Sequence, residues 1–200
     1  AYAYHGHRHQ DTRGIIYYAF GKELASDRGY IWDDPRNAWT GGTLSHNLVT
    51  VDGANQQRKG RVSTLELFGL APGIQAAQAS ANAYTQCDRY QRTCAFIQLP
   101  GKQTYTVDFF RVNGGKLHQY GFQCNGELID VSAPTPQPTN EKHRWLSNLR
   151  ACEPEEPFSA TWQYKGVNME LTMLNPIDRL LIADAPGWRS DRGSELNAPP

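Results

Sequence analysis

The chain opens with AYAYHGHRHQD, in which His5, His7 and His9 occupy alternate positions and Asp11 follows two residues later. Side chains two residues apart on an extended strand point to the same side, so these four would share a face if the stretch is a strand. Two imidazoles at this spacing can converge on one metal ion while a third side chain works on a substrate. The alternative is a solvated chain end, and the spacing alone does not decide between the two interpretations.

Two further stretches supply residues that could complete a metal site. Asp27 lies in ELASDRGY, between a predicted strand and an aromatic loop, and His46 lies in TLSHNLVTVDG, directly before a predicted strand. Together with His9 they form a set of two nitrogen donors and one oxygen donor. Such a set suits zinc, whereas calcium fits less well because it prefers shells made only of oxygen. The residues therefore predict a zinc site at His9, Asp27 and His46.

Aromatic and basic residues near these positions could contact a sugar. The loop YIWDDPRNAWTGG holds Trp32 and Trp39, which could stack on sugar rings, and Arg36, which could bind a carboxylate or sulfate. Arg144 follows a proline-rich loop and could line the edge of a cleft. The alternative for each tryptophan is a packed loop in which the ring is an anchor.

The rest of the chain reads as β-structure. Strands are expected in GIIYYAFG, HNLVTVDG, RVSTLELFGL, CAFIQL, YTVDFFRV, HQYGFQC, SATWQYKG, VNMELTML and RLLIADA, and a helix is considered only for LAPGIQAAQASANAY. Turn residues separate the runs, which favours an all-β fold, an antiparallel β-sandwich, in one domain of residues 1–200.

The 20 basic and 20 acidic residues cancel, which argues against nucleic acid and membranes as partners. Cys87 and Cys94 could form a disulfide if their segment is a hairpin; otherwise the four cysteines are thiols.

Several of these runs resemble a known family. HRHQD, YYAFGKELASDRGY and SHNLVTVDGANQ, followed by YTVDFFRVNGGKLHQYGFQCNGEL, HRWLSNLR and the strands through IADAPGW, resemble the heparinase II/III-like polysaccharide lyases, which include heparinases and oligoalginate lyases. The resemblance covers nearly the whole chain and is most specific in the first 53 residues. It implies the β-sandwich part of a longer protein, supersandwich-like, whose N-terminal α/α toroid lies outside the chain.

The resemblance also implies roles for individual residues. The family's His-x-His-x-Asp element matches His7 as the catalytic histidine and His9 as a metal ligand, and its other ligands match Asp27 and His46. Asp11 would then orient a ligand or brace the turn, and His5 would support substrate binding beside His7. The implied metal is a structural zinc ion.

The implied activity is β-elimination on a polysaccharide that contains uronic acid. The resemblance further implies a periplasmic or secreted enzyme whose partners are an acidic polysaccharide or oligosaccharide and the helical domain of the same protein. Two rival classes stay open. A cupin-like metalloenzyme also begins with His-x-His, but it requires a glutamate where this chain has Arg13 and Gly14. A carbohydrate-binding sandwich without catalysis would explain the tryptophans but leaves the histidines unexplained.

Overall fold

A computed structural model of the chain describes residues 9–31, 34–189 and 195–196. Nearly all of its regular structure is β, and the prediction of an all-β fold built from antiparallel sheets, consistent with a sandwich, is confirmed. The strands are β1 (Tyr17–Ala19), β2 (Lys22–Ala25), β3 (Gly29–Tyr30), β4 (Leu48–Val51), β5 (Ser63–Ala71), β6 (Ile74–Ala81), β7 (Cys87–Gln98), β8 (Thr104–Gly114), β9 (His118–Gly121), β10 (Glu127–Val131), β11 (Gln137–Pro138), β12 (Ser147–Cys152), β13 (Phe158–Tyr164), β14 (Val167–Met173), β15 (Leu180–Asp184), β16 (Gly187–Arg189) and β17 (Glu195–Leu196).

Helical structure is limited to short turns. One α-helical turn, α1, spans Asn37–Thr40, and 3-10 turns span Thr43–Ser45 and Pro100–Lys102. Among the described residues, no helix has the length and apolar character needed to cross a membrane.

The alanine-rich stretch considered for a helix is instead a strand, and that expectation is wrong. Residues 74–81 form β6, which pairs antiparallel with β5 on one side and β7 on the other. Turns with left-handed glycines, including Gly73 at φ 77°, allow such tight reversals. The tertiary pairing on both sides therefore overrides the helix propensity of the alanines.

The chain divides into two compact units, of which the first comprises residues 9–15 and 41–121 within the described part. It contains the four-stranded meander β5-β6-β7-β8 and the antiparallel pair β4-β9. Its core consists of Val49, Val51, Ala83, Tyr84 and Tyr90. The predicted strand HNLVTVDG supplies β4, in which all four residues are buried, and it ends in the predicted turn at residues 52 and 53.

The second unit comprises residues 16–40 and 122–196, again within the described part. Its sheets are β1-β2, β10-β13-β14, β11-β12-β15 and β17-β16-β3. The pairing of β3 with β16 is parallel, an exception to the antiparallel rule of this fold. Gly29 makes this pairing possible, since its φ is 95° and a Cβ atom there would lie 1.6 Å from the carbonyl oxygen of Trp188.

The four cysteines are thiols. Cys87 and Cys94 both belong to β7, so their segment is one continuous strand and not the hairpin that a disulfide between them would need. Burial raises the pKa of the Cys94 thiol to about 11 and that of the Cys124 thiol to about 12.

Candidate functional site

His46 is held rigidly at the start of β4. It follows the 3-10 turn Thr43–Ser45, and its backbone N–H donates to the carbonyl of Thr43 at 3.2 Å. Its ring is buried, and Nδ1 lies 2.7 Å from the carbonyl oxygen of Gly42. Because a carbonyl only accepts hydrogen bonds, Nδ1 carries a proton, and in the neutral ring the lone pair is then on Nε2. A histidine that donates through one ring nitrogen to a carbonyl is oriented as metal-binding histidines usually are.

The ring of His9 approaches this lone pair. Nδ1 of His9 lies 3.0 Å from Nε2 of His46, and the two rings meet at an interplanar angle of 63°. Two nitrogen ligands of a tetrahedral zinc ion with ordinary bond lengths would be about 3.3 Å apart. The same pair can therefore form an N–H···N hydrogen bond without a cation or direct both lone pairs at one.

The segment that carries His9 is held by hydrogen bonds to the rest of the first unit. Arg61 donates through Nη2 to the carbonyl of His9 at 3.0 Å. The backbone N–H of Gln10 donates to the carbonyl of Gly41 at 2.9 Å, and the Thr43 hydroxyl donates to the carbonyl of Gln10 at 2.8 Å. From residue 9 onward, the segment is thus a packed part of the fold and not a solvated chain end.

Gln56 is the central residue of this attachment. Its buried side chain donates to the carbonyl of Thr12 at 2.9 Å and accepts from the N–H of Thr12 at 2.9 Å. The same amide accepts from Nη1 of Arg61 at 3.0 Å and donates to the hydroxyl of Tyr90 at 3.2 Å. One buried amide therefore satisfies both backbone groups of a residue three positions after His9.

Arg92 joins the same segment to β4 and β8. Its guanidinium forms a two-point ion pair with Asp108, at 2.9 and 2.7 Å, and also contacts the hydroxyl of Tyr120 at 3.2 Å. Nη1 donates to the carbonyls of Arg13 at 2.6 Å and Asn47 at 2.5 Å. Burial alone would lower the pKa of Arg92, but the hydrogen bonds to Asp108 raise it above its usual value. Arg13, four residues after His9, and Asn47, directly after His46, are therefore bound by the same buried guanidinium.

Asp27 is positioned by its own loop in the second unit. Its Oδ1 accepts the backbone N–H of Gly29 at 3.2 Å, and its carbonyl accepts the hydroxyl of Ser26 at 3.1 Å. The neighbouring Arg28 is buried and donates through Nη2 to the carbonyl of Cys124 at 3.0 Å. Burial lowers the pKa of Arg28 to about 10.

His9 and His46 of the first unit and Asp27 of the second have side chains that could hold a metal ion. Two imidazole nitrogens and one carboxylate oxygen match a zinc site with three protein ligands, whereas the six to eight oxygen ligands of calcium are not provided by this group. The residues named from the sequence therefore fit zinc by their chemistry.

The structure describes only some of the other predicted site residues. His5, His7 and Trp32 lie outside the described residues. Asp11 is exposed, and its backbone carbonyl accepts the N–H of Gly14 at 2.7 Å. The described residues 9–16 contain a turn and no strand, so a shared strand face does not extend to Asp11.

The predicted sugar contacts in the second unit have distinct environments. The ring of Trp39 is only 3% exposed, and its Nε1 donates to the carbonyl of Pro186 at 2.9 Å. That burial leaves no ring face for a sugar and favours the packing alternative. Arg36 pairs with Asp34, with N–O distances of 3.0 and 2.8 Å, and Arg144 is exposed beside Trp145.

Sequence reasoning did not identify Gln56 or Arg92, on which the opening segment depends. Gln56 lies in a polar stretch, GANQQRKG, that gives no sign of burial. Arg92 has a usable signal, because it alternates with Tyr90 and Cys94 on β7 and pairs through its side chain with Asp108 on the adjacent β8. Opposite charges at inward positions of neighbouring strands indicate a buried ion pair.

No protein-family model matches the chain, and no curated protein matches it at a significant level.

Proposed function

We propose that the chain is a polysaccharide lyase domain that cleaves a uronic-acid polysaccharide by β-elimination and holds a structural zinc ion through His9, Asp27 and His46. The observation that carries the metal part is the 3.0 Å approach of the His9 and His46 ring nitrogens, with the second ring fixed by Gly42. The reaction class is supported by the resemblance of the histidine, aspartate and strand motifs to the heparinase II/III-like lyases. The turn at residues 11–14 counts against the cupin alternative, which places its glutamate on a continuing strand.

When bound, zinc supplies a cross-link between chain segments that are distant in sequence. His7, two residues before a ligand, is the proposed acid or base and is not part of the ligand set. In the reaction, a base removes the proton from C5 and the electron pair forms a C4=C5 double bond. The bond from C4 to the glycosidic oxygen breaks, and an acid protonates that oxygen. An imidazole suits either proton transfer near neutral pH.

The remaining chemistry belongs to proposed partners. The C5 proton becomes acidic enough only if the neighbouring carboxylate is neutralised and the developing enolate charge is stabilised. The groups that do this, and the second acid–base residue, are proposed to come from the N-terminal helical domain of the same protein. The proposed location is the periplasm or the exterior, and the substrate is an acidic polysaccharide or oligosaccharide.

The metal part is tested by zinc analysis and thermal unfolding. The wild-type chain is expected to bind one zinc ion, and chelation is expected to lower its melting temperature. His9→Ala and Asp27→Ala should each weaken zinc binding at least tenfold, since each removes one of three ligands. His118→Ala is the matched control, because His118 is exposed and bonds only locally to the carbonyl of Gly114. A chain without zinc, and with the same melting temperature after chelation, would refute the site.

The lyase part is tested separately by the ultraviolet absorbance of the unsaturated product, with a panel of uronate polymers and the full-length protein. His7→Ala is expected to abolish product formation while zinc binding persists. Full turnover by that variant would refute the role of His7, and no product from any polymer would refute the lyase proposal.

A further inference from the structure

Two tryptophans of the second unit stand at a steep angle to each other. Trp145 lies two residues before β12, and Trp188 lies in β16. Their ring centroids are 6.4 Å apart and the rings meet at 74°. Both residues are partly exposed. Partly exposed indole rings offer flat apolar surface beside water, and such rings bind ligands that have one apolar face.

An arginine lies over each of these rings. The Cζ atom of Arg144 is 4.8 Å from the ring centroid of Trp145, and that of Arg36 is 5.0 Å from the centroid of Trp188. A guanidinium that stacks on an indole loses little further freedom when its N–H groups bind an anion in its own plane. Each pair could therefore serve as a cationic contact next to an apolar one.

The two arginines differ in whether an ion pair already balances their charge. Arg36 forms a two-point ion pair with Asp34, and this contact lowers the pKa of the Asp34 carboxyl. Arg144 is exposed, and within the described part of the chain its guanidinium has no ion pair. The charge of Arg36 is thus balanced by its own loop, whereas Arg144 is the cation with capacity for an external anion.

We propose that Trp145, Trp188 and Arg144 form a binding site for one acidic sugar residue of an oligosaccharide. The apolar C–H face of the sugar stacks against the two indole rings, and its carboxylate is bound by the guanidinium of Arg144. The choice of a uronate rests on the proposed function, but the need for one anion and one apolar face comes from the cluster. A nucleic acid is disfavoured as the ligand, because the chain has no net charge.

Hydrogen bonds and ring packing hold the two indole rings in place. The backbone N–H of Trp188 donates to the carbonyl of Arg28 at 2.9 Å, and that of Trp145 donates to Nδ1 of His143 at 3.2 Å. The His143 ring in turn packs edge-to-face on the buried Trp39, with centroids 5.9 Å apart. The site is therefore preorganised, which lowers the entropic cost of binding. Trp39 supports the site through its contact with His143, so it is a positioning residue and not a sugar contact.

The test is isothermal titration calorimetry of the whole chain with a trimer of mannuronate and with the same trimer after reduction of its carboxyl groups. The wild-type chain should bind the acidic trimer at least tenfold more tightly than the reduced one. Arg144→Ala should weaken binding of the acidic trimer about tenfold and leave the reduced trimer unaffected. Trp145→Ala and Trp188→Ala should weaken both trimers about tenfold.

Arg111→Ala is the matched control, because Arg111 is also exposed and stacks on an aromatic ring, Phe109, at 5.4 Å. It should leave both affinities unchanged. Equal affinity of the wild-type chain for the two trimers, no binding of the acidic trimer, or unchanged binding by Arg144→Ala would each overturn the proposal. Arg144 is exposed, so this variant answers the question even if a tryptophan variant fails to fold.

The outcomes also separate this site from the lyase proposal. If the full-length protein forms unsaturated product and its KM is unchanged in Arg144→Ala and Trp145→Ala, the sugar site is refuted while the lyase stands. If the acidic trimer binds through Arg144 but no polymer is cleaved, the lyase is refuted while the site stands.

Discussion

Replacement of Gln56 by leucine tests how the segment carrying His9 is held. Leucine keeps much of the volume but removes the amide that satisfies the backbone N–H and carbonyl of Thr12, each at 2.9 Å. A buried polar group that loses its partner costs about 1–3 kcal/mol. Tyr90 and Arg61 keep other partners, at the carbonyls of Val49 and His9, and contribute less to the loss. The free energy of unfolding should therefore fall by about 3 kcal/mol.

Urea unfolding and amide hydrogen exchange measure this change. A loss of about 3 kcal/mol corresponds to a melting temperature lower by roughly 9 °C for a chain of this size. The exchange of the Thr12 amide should accelerate strongly, and zinc affinity should fall about tenfold because His9 is less well positioned. Gln57→Ala is the control, since the neighbouring side chain makes only an exposed hydrogen bond to the carbonyl of Asn82 at 3.1 Å. If both variants unfold at the same urea concentration, the central role of Gln56 is wrong.

Two further predictions concern the second unit. Gly29→Ala should destabilise it by about 3 kcal/mol or more, because the new Cβ would overlap the carbonyl of Trp188. Gly21→Ala is the control and should cost only about 1 kcal/mol, because there is open space around Gly21. Equal urea midpoints of the two variants would contradict this prediction. Since burial raises the pKa of Cys124 from 9.0 to about 12, its alkylation by iodoacetamide at pH 8.5 should be about a thousandfold slower than that of an ordinary thiol. The rate should rise with pH up to about 12, and a plateau near 9 would show that the thiol is not buried in solution.

The sequence predicts the fold class well because strand patterns are local. The alternating and β-branched runs that define β4, β8, β13, β14 and β15 appear directly in the sequence and become strands of nearly the predicted extent. The predicted strands do not include β10 and β12, and the prediction also fails at β6, a run of small and amide residues whose conformation is decided by its two neighbours in the sheet. Such pairing is a tertiary effect that no local pattern records.

The sequence is enough to name candidate metal ligands, but it does not identify the residues that hold them. Histidine and aspartate have few roles that bring them together, so residue type alone suggests His9, Asp27 and His46 as a group. Amides have many roles, and nothing in the sequence distinguishes the buried Gln56 from Gln57 beside it. Likewise, the difference between Arg36 and Arg144 depends on a carboxylate two residues away that only the geometry reveals as a partner.

The attachment of the opening segment has a consequence for the order in which the protein can be made. Residues 9–13 are translated before the side chains that hold them, since Gln56, Arg61 and Arg92 follow 44, 46, 52 and 79 positions later. During synthesis the contacts to Gly41, Thr43, Gln56 and Arg61 become available first, and the contact to Arg92 must wait for β7 and its neighbour β8. The segment that carries residue 9 therefore gains its full set of contacts only when β7 and β8 are present, so a cation that requires this imidazole should bind most tightly to a first unit in which those strands have formed.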